Sequence, residues 1–236
     1  MAELLYLDDC YLRTCVSKVL FIRDGRFIEL DRTVFYPRGG GQPNDIGVLR
    51  RGNEQFQIVS VAKSNGAVFH EIPNGGLQVG DTVECEIDWV RRYKMMRMHT
   101  AGHVLSAIMF QKSGILITGN QIDADKTRFD FSMENFDKEA FQTLVEDANA
   151  AIGRNLPVSI SYLKRDEAMR LPGVVKLASA LPPDVQELRM VKIGDVDFQA
   201  DGGTHVKNTS EVGKIVFLGA ENKGKSNRRI YYSLEP

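Results

Sequence analysis

The chain has 236 residues, 43% of them hydrophobic and 26% charged, with a formal net charge of −1; this ordinary globular composition excludes wholesale disorder and low-complexity architectures. No apolar run approaches the roughly 18–20 residues of a membrane-spanning helix, and the near-neutral charge gives no global argument for a polyanionic partner. Three cysteines, Cys10, Cys15 and Cys85, are odd in number and lack paired zinc-type spacing, so they read as reduced structural thiols; with no basic stretch before the first apolar residues, the expected compartment is the cytoplasm.

Along the first ninety residues, strands alternate with tight turns. Lys18–Ile22 and Arg26–Leu30 flank Asp24-Gly25, and Gln57–Ala62 and Ala67–Ile72 flank Asn65-Gly66, dipeptides that accept the positive φ angles of two-residue hairpins. Thr82–Asp88 alternates, with Val83, Cys85 and Ile87 on the apolar side. Between the hairpins, the run Leu30–Gly47 holds three consecutive glycines, Gly39, Gly40 and Gly41, after Pro37. Two readings stand: a flexible turn, or a backbone that must approach a ligand closely.

A helical pattern follows from Val90 to Lys112, with Met95, His99, Gly102, His103 and Ser106 on one face. Glycine inside a helix costs about 1 kcal/mol relative to alanine, so Gly102 implies a close neighbour. Further on come a strand at Thr127–Ser132, a helix at Lys138–Arg154 capped by Asp137, a strand at Val158–Leu163 and a helical turn at Asp166–Arg170. The segment around Pro172-Gly173 and Pro182-Pro183 reads as a connection; strands are expected at Glu187–Ile193 and Val196–Gln199, and a hairpin at Lys214–Leu218 and Ile230–Ser233. The predicted class is α+β: a small β-barrel-like N-terminal domain over residues 1–89, then a mixed α/β core over residues 90–236.

Three of the four histidines lie in two stretches, His99–His103 and Asp201–His205. Residues four apart on a helix share a face, so His99 and His103 reach one ion together, and His205 with Asp201 adds donors suited to zinc. The competing reading is a pair of buried, hydrogen-bonded histidines. Two basic clusters, Arg91, Arg92, Lys94 and Arg97, and Lys223, Lys225, Arg228 and Arg229, are either solvated faces or phosphate contacts.

The strings LDRTVFYPRGGGQPNDIG (Leu30–Gly47), HTAGH (His99–His103) and DGGTHVKNTSEVG (Asp201–Gly213) resemble, in that order, the editing domain of alanyl-tRNA synthetases and the free-standing alanyl-tRNA editing proteins of the AlaX family, medium-length type. The resemblance spans nearly the whole chain. It implies a hydrolase that cleaves the aminoacyl ester of mischarged Ser-tRNA(Ala), with Gly-tRNA(Ala) as a further candidate substrate. It implies one Zn²⁺ per chain held by His99, His103 and His205, with Asp201 in the fourth position where the synthetase pattern has a cysteine. Catalytic roles fall on Thr33, Gln42 and Asp201, and substrate contacts on Thr33, Gly39, Gly40, Gly41, Gln42 and Arg97. The implied partner is mischarged alanine tRNA, with no membrane. Two alternatives stay open: a non-catalytic tRNA-binding protein with a structural zinc, and a zinc hydrolase of another ester.

Overall fold

The structure, a computed structural model, describes residues 2–134, 136–170 and 185–235. It divides into two compact units, Met1–Met95 and Met96–Pro236, each taken here by itself. The connection expected around Pro172-Gly173 and Pro182-Pro183 lies outside the described residues.

In the first unit the strands are β1 (Glu3–Leu4), β2 (Thr14–Arg23), β3 (Phe27–Leu30), β4 (Arg32–Thr33), β5 (Gly47–Arg51), β6 (Glu54–Ile58), β7 (Ser60–Ser64), β8 (Ala67–Glu71) and β9 (Thr82–Ile87). Both expected hairpin turns form: Asp24 and Gly25 take φ 54° and 66°, and Asn65 and Gly66 take φ 50° and 81°, the left-handed values that a type I′ turn demands. Seven strands share one sheet in the order β6-β5-β9-β2-β3-β8-β7. The long strand β2 divides its pairing, with Thr14–Lys18 against β9 and Val19–Arg23 against β3, and the register shifts between Val19 and Phe21. The sheet therefore has two leaves joined along β2, and one core takes side chains from both, including Leu49, Ile58 and Val83 from one and Ile28, Val61 and Val68 from the other.

The strand expected at Gln57–Ala62 is two strands, because Ile58 and Val61 are both buried while Val59 is 48% exposed. A strand turns successive side chains to opposite faces, so two inward residues three apart require the chain to break step between them. There it passes from β6, at one edge of the sheet, to β7 at the other. Among the described residues no sheet closes into a barrel, and the α+β class holds with an open sheet in the barrel-like position.

Helix α1 (Trp89–Ser113) begins where the Asp88 carboxylate accepts the Arg91 N–H at 3.0 Å, and from Met98 to Met109 every residue is buried. A helix without an exposed face is held by packing on all sides. In the second unit follow β10 (Ile117–Gln121), β11 (Thr127–Ser132), α2 (Lys138–Ile152), β12 (Val158–Lys164), α3 (Arg165–Ala168), β13 (Glu187–Ile193), β14 (Asp197–Ala200), β15 (Lys214–Asn222) and β16 (Asn227–Glu235). They make a four-stranded sheet, β10-β11-β16-β15, and a three-stranded one, β12-β13-β14.

Gly102 is explained by the first of these sheets: a Cβ there would lie 2.4 Å from the Phe129 ring and 2.9 Å from the Tyr232 hydroxyl. Absence of that one carbon lets α1 lie directly on β11 and β16, and Tyr232 Oη donates to Met98 O at 2.8 Å. Asp137 caps α2, accepting from Glu139 N and Ala140 N at 2.9 and 3.1 Å. Asn149 of α2 pairs its side-chain amide with both backbone groups of Ile215 at the edge of β15 (2.9 and 2.7 Å), which blunts an otherwise open sheet edge. Among the described residues no helix is long and apolar enough to cross a membrane.

Candidate metal centre

His99 and His103 lie one turn apart on buried α1, and Asp201 and His205 come from the loop after β14. One ligating atom from each of the four lies within 4.8 Å of the others. Asp201 is the hub: its carboxylate oxygens stand 3.0 Å from His205 Nε2, 3.6 Å from His99 Nε2 and 4.0 Å from His103 Nε2. The three imidazole side chains are at most 9% exposed, whereas Asp201 keeps 19%, so the carboxylate residue is the least enclosed of the four.

The Nδ1 atoms of His103 and His205 each have a partner. His103 Nδ1 lies 2.9 Å from Asp197 Oδ2; a carboxylate only accepts, so Nδ1 carries the proton and Nε2 keeps its lone pair. Gln199, next but one on the same face of β14, donates to that same Asp197 oxygen at 2.8 Å, and its amide nitrogen also lies 2.8 Å from His103 Nδ1. His205 Nδ1 lies 3.1 Å from Thr100 Oγ1. The Thr100 hydroxyl donates its single proton to Met96 O at 2.9 Å, so toward His205 it accepts from Nδ1, while His205 Nε2 faces Asp201 Oδ2 at 3.0 Å. Both rings are thus fixed through Nδ1 with Nε2 turned toward Asp201, the second-layer hydrogen bonding that orients histidines at metal sites.

Burial is the first cause that holds His99 well below its ordinary range, and the neighbouring His205 and His103 act in the same direction against the pull of Asp201. His205 is lowered to about 4, again chiefly by burial. Burial alone would raise Asp201, but the attraction of His99, His205 and His103 outweighs it and holds the carboxyl well below the usual carboxylate range. Neutral imidazoles beside an ionised carboxylate are the protonation states that a divalent cation requires. The donor set therefore fits a borderline-soft ion such as Zn²⁺.

The glycines of the second motif divide their work. A Cβ on Gly203 would sit 2.1 Å from His99 Cε1, so that residue must be glycine for the loop to lie against the ring, and its N–H donates to Asp201 Oδ2 at 2.6 Å. Gly202 has open space. Downstream, Asn208 and Glu211 form a capping box around the 3-10 turn Thr209–Glu211. The Thr209 hydroxyl accepts from Leu156 N and donates to Ile152 O, both at 2.8 Å. The first half of this motif supplies donors and the second half anchors them to the end of α2.

Arg97, two residues before His99, is half-buried and donates through Nε and Nη2 to Val212 O at 3.0 and 2.8 Å. Arg92 departs from the solvated or phosphate-binding cluster expected of Arg91–Arg97. It is fully buried, ion-paired with Asp45, and donates to Cys10 O and Val34 O at 2.9 and 2.6 Å; a charge on the inward side of a helix is tolerated only with such complete pairing.

The other expected site residues belong to the first unit. Gly39 and Gln42 exchange backbone hydrogen bonds of 3.1 and 2.9 Å around Gly40 (φ 56°) and Gly41 (φ 83°), so the triple glycine is a closed two-residue turn. Tyr36 Oη donates to Gly39 O at 2.9 Å, and Arg38 N to Val61 O at 3.0 Å. Gln42 is buried, while Gly39 and Gly40 form the exposed tip. Thr33 is fully buried: its hydroxyl accepts from Phe35 N at 3.0 Å and lies 2.8 Å from His70 Nε2. His70 Nδ1 faces Ile28 O at 3.1 Å, which only accepts, and burial lowers His70 to about 4. The neutral ring therefore carries its proton on Nδ1, and Thr33 donates to Nε2.

Four partners were not singled out in the sequence: Thr100, Asp197, Gln199 and His70. Thr100 sits inside the HTAGH string and Asp197 and Gln199 share one face of an expected strand, but nothing in spacing alone connects them to particular histidines.

Residues 13–91 match the family of class II (A) tRNA synthetases, and residues 188–231 match the threonyl and alanyl tRNA synthetase second additional domain. The alanyl-tRNA editing protein AlaX-M of Saccharolobus solfataricus is 44% identical over 100% of both chains. AlaX-M of Methanosarcina mazei is 45% identical over 99% of this chain and 97% of its own. The alanine–tRNA ligase of Pyrobaculum aerophilum is 36% identical over 89% of this chain but only 24% of the ligase.

Proposed function

The chain belongs to the alanyl-tRNA editing protein family, and from that premise we propose that it is a cytoplasmic deacylase that hydrolyses the aminoacyl ester of alanine tRNA mischarged with serine, with glycine as a second substrate. The observation that carries this reading is the convergence of three imidazoles and one carboxylate within 4.8 Å.

The need for such an activity follows from physical limits on selection. A pocket shaped for alanine rejects an isostere bearing one added hydroxyl by only about a hundredfold and cannot sterically exclude glycine. A second site that hydrogen-bonds the serine hydroxyl spares alanine, which would leave that site's polar group unpaired.

His99, His103, His205 and Asp201 would hold one Zn²⁺. When bound, zinc supplies Lewis acidity toward an ester carbonyl and lowers the pKa of bound water to about 7. The chain's own contribution is orientation. Asp197 and Thr100 engage Nδ1 of His103 and His205 and leave Nε2 of each turned toward Asp201, and the bare backbone of Gly203 holds the Asp201 loop against His99. We assign Thr33, Gly39, Gly40, Gly41 and Gln42 to recognition of the aminoacyl end on the family pattern, and carry over from the same pattern catalytic roles for Thr33, Gln42 and Asp201. Arg97 has Nη1 left for a substrate phosphate, since its Nε and Nη2 serve Val212 O.

Four protein donors also suit a closed, structural zinc, which keeps a non-catalytic tRNA-binding protein as the second reading. One experiment separates the two. Alanine tRNA charged with serine, glycine or alanine is mixed with the chain before and after metal stripping. Selective release of serine, lost on stripping and restored by zinc, is the expected result; release no faster than in the stripped control removes the deacylase reading. Equal cleavage of simple esters would instead identify a general zinc esterase.

A further inference from the structure

Cys15 on β2 and Cys85 on β9 are direct partners in the antiparallel ladder of the first unit, so both side chains leave the same face of the sheet. Ser17, next on that face of β2, touches both. Its Oγ lies 3.3 Å from Cys15 Sγ and accepts from Cys85 Sγ at 3.4 Å, while its own proton goes to Arg32 O at 2.8 Å. Cys85 is fully buried and Cys15 is partly exposed; both are reduced.

Directly opposed residues of an antiparallel pair have Cα atoms about 4.5–5.5 Å apart, inside the roughly 4.4–6.8 Å that a disulfide spans. Their Cβ atoms stand about 4.5–5.5 Å apart, wider than the roughly 3.5–4.5 Å of a relaxed bridge. A bond between them is therefore accessible with small strand movement and is readily reduced again.

We propose that Cys15 and Cys85 form a reversible dithiol–disulfide site whose oxidant is a small peroxide, with Cys15 the attacking sulfur and Cys85 the resolving one. The Cys15 thiolate attacks one oxygen of hydrogen peroxide. The O–O bond breaks, leaving Cys15 sulfenic acid and a hydroxide that takes the proton Cys15 released, as water. The Cys85 sulfur then attacks the Cys15 sulfur and expels hydroxide, which leaves as a second water with the Cys85 proton. Two thiols and one peroxide become one disulfide and two waters; the sulfurs lose two electrons and the peroxide gains them.

The environment divides the roles in the same way. The adjoining Cys85 is the first cause that lowers Cys15, to about 7, and Cys15 is the more exposed of the two sulfurs, so it is the one that offers thiolate to a peroxide at neutral pH. The adjoining Cys15 sulfur and burial push Cys85 up, and its proton goes to Ser17 Oγ, so it waits as a thiol inside the sheet. Cys10 is an internal control: buried, with its Sγ donating to Tyr6 O at 3.5 Å, it has no part in the ladder.

The test uses the full chain. After exposure to hydrogen peroxide it is denatured in an alkylating agent, its thiols are counted and its peptides mapped by mass. The expected result is a fall from three thiols to one, a single Cys15–Cys85 linked peptide lighter by two hydrogens, and full recovery of thiols with dithiothreitol. Cys15→Ser should keep both remaining thiols, and Cys85→Ser should stop at a Cys15 sulfenic acid trapped by dimedone. Where the buried hydroxyl prevents folding, as read by circular dichroism, Cys85→Ala serves instead. Retention of all three thiols, linkage through Cys10, or a bridge between chains would overturn the proposal.

Discussion

The two buried histidine environments of this protein look alike by burial and differ by hydrogen-bond accounting. His70 in the first unit and His205 in the second are both fully enclosed, and both are lowered to about 4. His70, however, spends Nδ1 on Ile28 O and Nε2 on the Thr33 hydroxyl, so nothing is left for a ligand. His205 gives Nδ1 to Thr100 and turns Nε2 toward a carboxylate shared with His99 and His103. Burial makes an imidazole neutral in either place. What separates the two is what the second nitrogen faces: a hydroxyl of the fold at His70, and at His205 the Asp201 carboxylate, a group that can itself bind a cation.

The largest effect that would test this contrast is His103→Ala. It should reduce zinc content, measured by plasma mass spectrometry, from one ion per chain to background and abolish deacylation. Full activity in such metal-free protein would break the assignment.

Thr100→Val comes next. It removes the acceptor for His205 Nδ1–H and for Val206 N–H, and zinc affinity in a chelator competition should fall by about 10–100-fold, the usual cost of losing a second-layer partner. An unchanged affinity would mean that Thr100 does not set the tautomer.

His70→Leu should do the converse: destabilise the first unit by about 1–3 kcal/mol, because the Thr33 proton and Ile28 O lose their partner, and leave zinc affinity as it is. The same residue predicts an acid limb. Its folded-state value lies below the unfolded 6.5, so the unfolded chain binds the extra proton as pH falls from 6.5 toward 4. Stability is full above that window, declines through it by on the order of 3 kcal/mol, and levels off below; the His70→Leu unfolding curve should lack this component. Thr33→Val distinguishes two uses of the hydroxyl beside His70. A changed serine-to-alanine deacylation ratio supports substrate recognition, whereas lower stability at an unchanged ratio limits Thr33 to holding the fold.

The smallest effect belongs to the glycine turn. A Cβ on Gly40 meets nothing within 4 Å, so only its φ of 56° matters. Gly40→Ala should cost about 1–2 kcal/mol and Gly40→Asn less, in denaturant melts. Equal costs would show that a contact, rather than the backbone angle, selects glycine there.

Much of this architecture was legible from the chain. Asp24-Gly25 and Asn65-Gly66 located their hairpins because positive φ is a local property. The alternation of Val83, Cys85 and Ile87 located β9, and the four-residue spacing of His99 and His103 placed two donors on one helix face. The break at Val59 was hidden because strand parity is set by which leaf the chain joins. Arg92 looked like part of a basic face because its partner, Asp45, lies 47 positions earlier.

By itself, then, the sequence determined the turns, the buried helix and the residue types of the metal cluster, all of which depend on neighbours within a few positions. Tertiary structure alone decided which nitrogen each histidine presents, that Gly203 rather than Gly202 is demanded by space, and that Cys15 faces Cys85. Those depend on atoms brought together from distant positions, and a hydrogen bond or a close contact has no counterpart in spacing along the chain.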